Sequence, residues 1–281
     1  MKALFGRRIL ICGKGGSGKS SVTALLATAL QNMNHHVVLV DGDGSNPGGL
    51  ARLVLGSTPA PAPLIEFFGG RERVTCPVDD PAPLTRASSQ LPVVDAQLSL
   101  EEIPPRYYAR SGNTLLFQVG KIRMPYEGCD GPMSKVTRDF VLQGEYVTLI
   151  DVEAGIEHFG RGVEKHVDNV LVVVDPTYES FEIAARVTVL CSLMSVAHAF
   201  AILNGVDSAE METAMRHALE LRNVPVLGCV WYDPAVRAAG MKGESIGWCS
   251  AGEDIARIAQ DLERIARSTA GAEKPCHRER T

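Results

Sequence analysis

The residues best suited to chemistry lie in one run, Gly13-Lys14-Gly15-Gly16-Ser17-Gly18-Lys19-Ser20, which fits G-x-x-x-x-G-K-[ST]. Glycines let backbone N–H groups turn inward around phosphate oxygens, and a helix opening at the end of the run adds positive potential. In that setting Lys19 reaches the β- and γ-phosphates of a nucleoside triphosphate and the Ser20 hydroxyl holds Mg²⁺. The expected ligands are ATP or ADP with Mg²⁺, cradled from Gly13 through Ser21.

Two acidic stations follow. Asp41-Gly42-Asp43-Gly44-Ser45-Asn46 comes after the apolar run Val37–Val40, where ligands of open α/β sheets gather. A plain surface turn has the same composition. In Leu149-Ile150-Asp151-Val152-Glu153-Ala154-Gly155 an apolar strand delivers Asp151, the shape of a carboxylate that acts on Mg²⁺ through water. Asn204 follows the apolar run Ala199–Leu203.

The elements that must position these residues alternate. A strand over Ile9–Cys12, a helix from about Gly18 to Gln31 and a strand over Val37–Val40 make one βαβ unit. Further strands are expected at Thr114–Val119, Tyr146–Ile150, Asn169–Val174, Ala199–Leu203 and Val226–Val230. Helices are expected at about 133–143, 179–195, 208–221 and 252–267. The alternation predicts an α/β fold, a mostly parallel sheet with helices on both faces, as a single domain over 1–268. Residues 57–112, broken by nine prolines, read as a peripheral segment, and 269–281 as a disordered tail.

A net charge of −5 offers no electrostatic footprint for nucleic acid, and no apolar stretch is long enough to span a membrane. The N-terminus lacks the pattern of a signal peptide, so a cytoplasmic protein is expected. Seven scattered cysteines read as free thiols. His35 and His36 are expected in an exposed turn, and His158 in a structural or dimer-contact role. The C-terminal helix, with Ile255, Ile258, Leu262 and Ile265 on one face, is expected to pack on the sheet rather than on a membrane.

Lys14, a second lysine inside the glycine loop, makes the run resemble the deviant Walker A group, which contains the Min and Par ATPases and the nitrogenase iron protein. The resemblance implies that Lys14 crosses a homodimer interface to the partner's nucleotide. It also implies that Asp43 positions the attacking water, that Asp41 lies near Mg²⁺, and that Gly155 approaches the γ-phosphate. Asn204 would read adenine, while Trp231 stands where the group usually has proline.

Asp151–Gly162, Asp-Val-Glu-Ala-Gly-Ile-Glu-His-Phe-Gly-Arg-Gly, further resembles the nickel-insertion accessory ATPases of carbon monoxide dehydrogenase. So do Pro63–Glu66, Gly120–Ile122, Gly128-Cys129 before Pro132, Val173–Pro176 and the segment from Gly228 to Gly243. Those proteins carry Cys-x-Cys before the proline, and two subunits bring four thiolates together on nickel or zinc. Here the run is Cys129-Asp130-Gly131-Pro132, which leaves Cys129 as a Ni²⁺ or Zn²⁺ ligand with Asp130 as an oxygen donor, or else as an inert thiol. The function implied is a slowly hydrolysing, dimeric ATPase switch that serves maturation of a carbon monoxide dehydrogenase-type client. The alternative is a regulatory switch of the Min/Par kind without a metal role. An iron–sulfur electron donor would need two suitably placed cysteines per subunit, and only Cys129 stands out along the chain.

Overall fold

Ile9-Leu10-Ile11-Cys12 and Val37-Val38-Leu39-Val40 have no polar residue to turn toward water, so a sheet built from them must be covered on both faces. In the computed structural model, which describes residues 2–46, 48–85, 98–194 and 196–272, with side chains to residue 268, these runs are inner strands. They are β1 (Arg8–Gly13) and β2 (His36–Asp41). The other strands are β3 (Ala109–Ser111), β4 (Thr114–Gln118), β5 (Tyr146–Asp151), β6 (Asn169–Val174), β7 (His198–Val206) and β8 (Val226–Trp231). They form one sheet in the order β3-β4-β2-β5-β1-β6-β7-β8, parallel except for the antiparallel edge strand β3.

Alternation along each strand divides the core in two. Ile9, Ile11, Val37, Leu39, Leu149 and Leu171 face α1 (Lys19–Asn32) and the C-terminal helix Ser250–Ala272. Leu10, Cys12, Val38, Val40, Phe117 and Ile150 face the opposite layer. The C-terminal helix packs as expected, burying Ile255, Ile258, Ala259 and Leu262. It runs on to Ala272, past the expected boundary at 268, and the rest of the proposed tail, 273–281, lies outside the described residues.

The proline-rich segment is less peripheral than expected. It makes only short elements, among them a single helical turn at Leu64–Phe67, yet Leu64, Ile65, Phe68, Val74, Leu84, Leu98, Ile103 and Tyr107 are all buried in the second core. Proline restricts it to turns without preventing it from burying apolar side chains. Its residues 86–97 lie outside the described residues.

Two smaller expectations also change. The helix placed at 133–143 spans Gly131–Asp139 (α2 hereafter), because the chain turns extended at Phe140 so that Leu98 can pair with Leu142. His35 is buried rather than exposed, because the C-terminal helix closes over it and brings Glu263 4.0 Å from its Nε2; His36 is exposed. No described helix is long and apolar enough to cross a membrane.

Candidate nucleotide site

Because β1 lies between β5 and β6, the loop that leaves it opens where the strand order reverses, at the carboxyl edge of the sheet. The register sets Ile11 beside Asp151 and Gly13 beside Val173, so the glycine loop is flanked by the ends of both neighbours. Gly18 caps α1 at φ 94°, and a Cβ there would lie 2.2 Å from Asn204 Nδ2; only glycine fits. No side chain caps α1, which leaves the N–H groups of its first turn directed at a cavity of about 530 Å³. Gly15, Gly16, Gly18, Lys19, Ser20, Ser21 and Asp43 line that cavity.

Lys19 curls back so that its Nζ donates to the Lys14 carbonyl at 3.2 Å, as a lysine must to reach phosphates held by the loop. Ser20 Oγ donates to Asp151 Oδ2 at 2.7 Å, while Asp151 Oδ1 is buried without a hydrogen-bond partner. An orphaned carboxylate oxygen beside a serine hydroxyl fits a hydrated Mg²⁺, with Ser20 as direct ligand and Asp151 acting through water.

Burial raises the Asp151 pKa, and the nearby Asp41 raises it further; the Ser20 hydrogen bond and Lys19 offset only part of this, leaving it at about 7. The folded chain therefore holds a proton that the unfolded chain has released between the usual 3.8 and about 7. The stability contributed by this group is complete below 3.8 and is lost as pH rises through about 7. In magnesium-free buffer, wild type should lose more thermal stability than Asp151→Asn between about pH 5 and about pH 8. Equal losses in the two proteins would refute this account of Asp151.

Asp41 pairs with Asp151 in the β2–β5 register and is, like it, buried. Both of its oxygens accept hydrogen bonds from Lys121 Nζ at 2.9 Å, and the same ammonium donates to the Asp43 carbonyl at 2.6 Å. Burial pushes the Asp41 carboxyl up, with Lys121 opposing. Lys121, to which the sequence assigned no role, thus anchors the loop that presents Asp43. Asp43 Oδ1 accepts from Ser45 N at 2.9 Å and Ser45 Oγ at 2.6 Å, which fixes the carboxylate at the cavity wall.

Lys14 Nζ does not point into its own cavity. It donates to Asp175 Oδ2 and Thr177 Oγ1, each at 3.0 Å, just beyond the end of β6. Burial raises the Asp175 pKa, but hydrogen bonds from Lys14, Thr177 and Ser180 more than offset this and hold it below the usual carboxylate range. Gly155 N donates to Gly13 O at 3.2 Å, closing the second acidic station against the glycine loop.

Asn204 donates from Nδ2 to Ser17 O at 2.7 Å, so it braces the loop while lining a second cavity of about 320 Å³. Val230, Trp231, Tyr232 and Val236 line the same cavity, which opens beside Gly16 and Gly18 and suits a flat base. Asp233 caps the helix Pro234–Lys242 through Ala235 N and also holds Ser250 Oγ at 2.7 Å, fastening that wall to the C-terminal helix.

Arg161 Nη1 donates to Asp130 Oδ2 at 2.7 Å and to Glu153 Oε1 at 2.5 Å, linking the loop that carries Cys129 to the one that follows Asp151. Burial and the hydrogen bond with Asp130 raise the Glu153 pKa, against Arg161, to about 7. His158 is buried and bonded to Glu164 within the chain. Cys129 is exposed, and no group of three or more His, Cys, Asp or Glu side chains among the described residues is arranged to hold a metal. Cys276 lies outside the described residues, and the other six thiols are free.

Comparison with known proteins extends these observations. Residues 9–246 match the CobQ/CobB/MinD/ParA nucleotide binding domain. The chain is 31% identical over 243 residues to an uncharacterised ATP-binding protein of Methanocaldococcus jannaschii, covering 85% of this chain and 93% of that one. It is 26% identical over 245 residues to the carbon monoxide dehydrogenase accessory protein CooC of Rhodospirillum rubrum, covering 85% and 88% of the two. The fold is similar to that of the cell division ATPase MinD of Pyrococcus furiosus, with a TM-score of 0.65 at 20% identity, over 92% of this chain and 99% of that one. MinD of Pyrococcus horikoshii, solved with Mg-ADP, gives 0.63 at 18% identity, over 96% and 99%. Since the family match runs from β1 through residue 246, the chain belongs to the CobQ/CobB/MinD/ParA nucleotide-binding family and is a P-loop ATPase.

Proposed function

We propose that this chain is a homodimeric switch, closed by ATP and reopened by slow hydrolysis, that serves metal insertion into a carbon monoxide dehydrogenase-type metalloenzyme. Gly13 through Ser21 hold the phosphates, with Lys19 neutralising charge on them. Mg²⁺, held by Ser20 and through water by Asp151, would neutralise further charge there when bound. Asp43 orients the attacking water, Asp41 and Lys121 hold Asp43 in place, and Asn204 bounds the base pocket. Lys14 leaves Asp175 and Thr177 to reach the partner subunit's nucleotide. A change from ATP to ADP alters contacts at Gly155 and Asp43, and such a difference in contacts is what biases an open–closed equilibrium.

The observation that carries the metal-handling part is the bridge Asp130–Arg161–Glu153. It ties the cysteine loop to the segment after Asp151, so closure around a nucleotide is mechanically joined to the surroundings of Cys129. The likeness to CooC supports the class of client. Light scattering after gel filtration should give a dimer with Mg-ATP and a monomer with Mg-ADP; a monomer with both nucleotides would remove the switch.

A second reading, a regulatory switch without a metal role, is favoured by Gly131 in place of a second local cysteine and by the likeness to MinD. It requires that nickel not be retained by the ATP-bound protein in equilibrium dialysis.

A further inference from the structure

Gly131 has a neighbour that its sequence context does not reveal. A Cβ built on this residue would lie 2.7 Å from Cys76 Sγ and 3.3 Å from Cys129 Sγ. Two thiols from distant parts of the chain therefore converge on one point, and the missing side chain at 131 makes room for the second of them.

The convergence is held from several sides. The Cys76 carbonyl accepts from Asp79 N at 3.1 Å and Asp80 N at 2.9 Å, forming a tight turn. Lys135, on α2, donates to Asp80 O at 3.0 Å and to Asp80 Oδ2 at 2.6 Å, fastening that turn to the helix whose start carries Cys129 and Asp130. Arg71 Nη1 donates to Cys129 O at 2.7 Å, fixing the other thiol's backbone. Arg161 lies within electrostatic reach of Cys129. Cys129 is exposed and Cys76 partly so, which leaves the pair open to an incoming ion.

We propose that Cys76 and Cys129 together bind one thiophilic divalent ion, Zn²⁺ or Ni²⁺, within a single subunit. Binding forms two sulfur–metal bonds and releases two thiol protons to solvent, with no change of oxidation state. A pair of thiolates leaves coordination positions open, unlike the closed four-ligand set of a structural zinc site, and open positions suit an ion that is handed on. The bridge from Asp130 through Arg161 to Glu153 connects the pair to the nucleotide loops. The inference deepens the metal-handling reading above and rests on it for its purpose, but not for its chemistry.

Zinc affinity of the reduced full chain, measured by competition with a chromophoric chelator, tests it. Cys76→Ser and Cys129→Ser should each weaken binding by about 10–100-fold or more, given that even supporting groups around a metal carry that much. Mg-ATP binding by both variants, measured in parallel, establishes that they fold. If Cys129→Ser abolishes binding while Cys76→Ser matches wild type, the pair is overturned and metal handling at Cys129 alone stands. If wild type binds no zinc, the pair and the metal-handling reading both fail. If both substitutions weaken zinc binding but Mg-ATP drives no dimer, the pair stands and the switch falls.

Discussion

Replacing Lys14 with alanine should lower ATP turnover by about 10³–10⁵-fold, the range for a cation supplied in trans to a transferring phosphoryl group. Lys14 Nζ rests on Asp175 and Thr177, away from the cavity that its own loop encloses. Lys19 already occupies that cavity, its Nζ bonded to the Lys14 carbonyl. A second cation matters most where negative charge accumulates on the γ-phosphoryl oxygens in a site from which water is excluded, and that environment arises when two subunits close. Lys14→Ala should consequently retain nucleotide binding by the monomer, through Lys19 and the α1 N-terminus, and lose both turnover and ATP-dependent dimerisation. Steady-state phosphate release at saturating ATP, together with a fluorescent-nucleotide titration, separates these effects. Turnover within about tenfold of wild type would show that Lys14 does not act on the reacting phosphate.

Asp43→Ala should reduce turnover by about 10²–10⁴-fold, the usual contribution of a positioned carboxylate to handling the proton of an attacking water. Its carboxylate is aimed by Ser45 and its backbone by Lys121, both at hydrogen-bonding distance, so the group is held still rather than left to sample the cavity. Removing it leaves the phosphate cradle and the Ser20–Asp151 contact intact. The variant should therefore bind Mg-ATP, form the dimer and remain in it. Gel filtration after prolonged incubation with ATP would show a persistent dimer where wild type has returned to monomer. A variant that hydrolyses ATP at the wild-type rate would assign the water to another group.

The parallel strands and the long helices were legible in the sequence because each carries its signal locally, whereas the short antiparallel edge strand β3, inside the proline-rich segment, was not. Short, unbroken, β-branched-rich apolar runs such as Val37–Val40 suit strands covered on both faces, and the glycine loop announces the helix after it. The single-turn elements carried no period, and the proline-rich segment concealed its contribution to the core. Its buried residues Phe68, Leu84 and Tyr107 are spaced by turns rather than by a helix or strand repeat. His35 was misplaced for a related reason: a turn is exposed only until another element, here the C-terminal helix, closes over it.

The sequence by itself determined the nucleotide chemistry, since a phosphate cradle is built from neighbouring residues whose backbone does the binding, and their order is the site. Only the tertiary structure decided how that cradle is wired: Lys121 under Asp41 and Asp43, Asp175 under Lys14, Arg161 between two loops, and Cys76 and Cys129 both beside Gly131. These partners come from separate strands and turns with no shared motif. Packing both faces of a twisted sheet brings them to one edge, and a spacing rule read along the chain has no access to that.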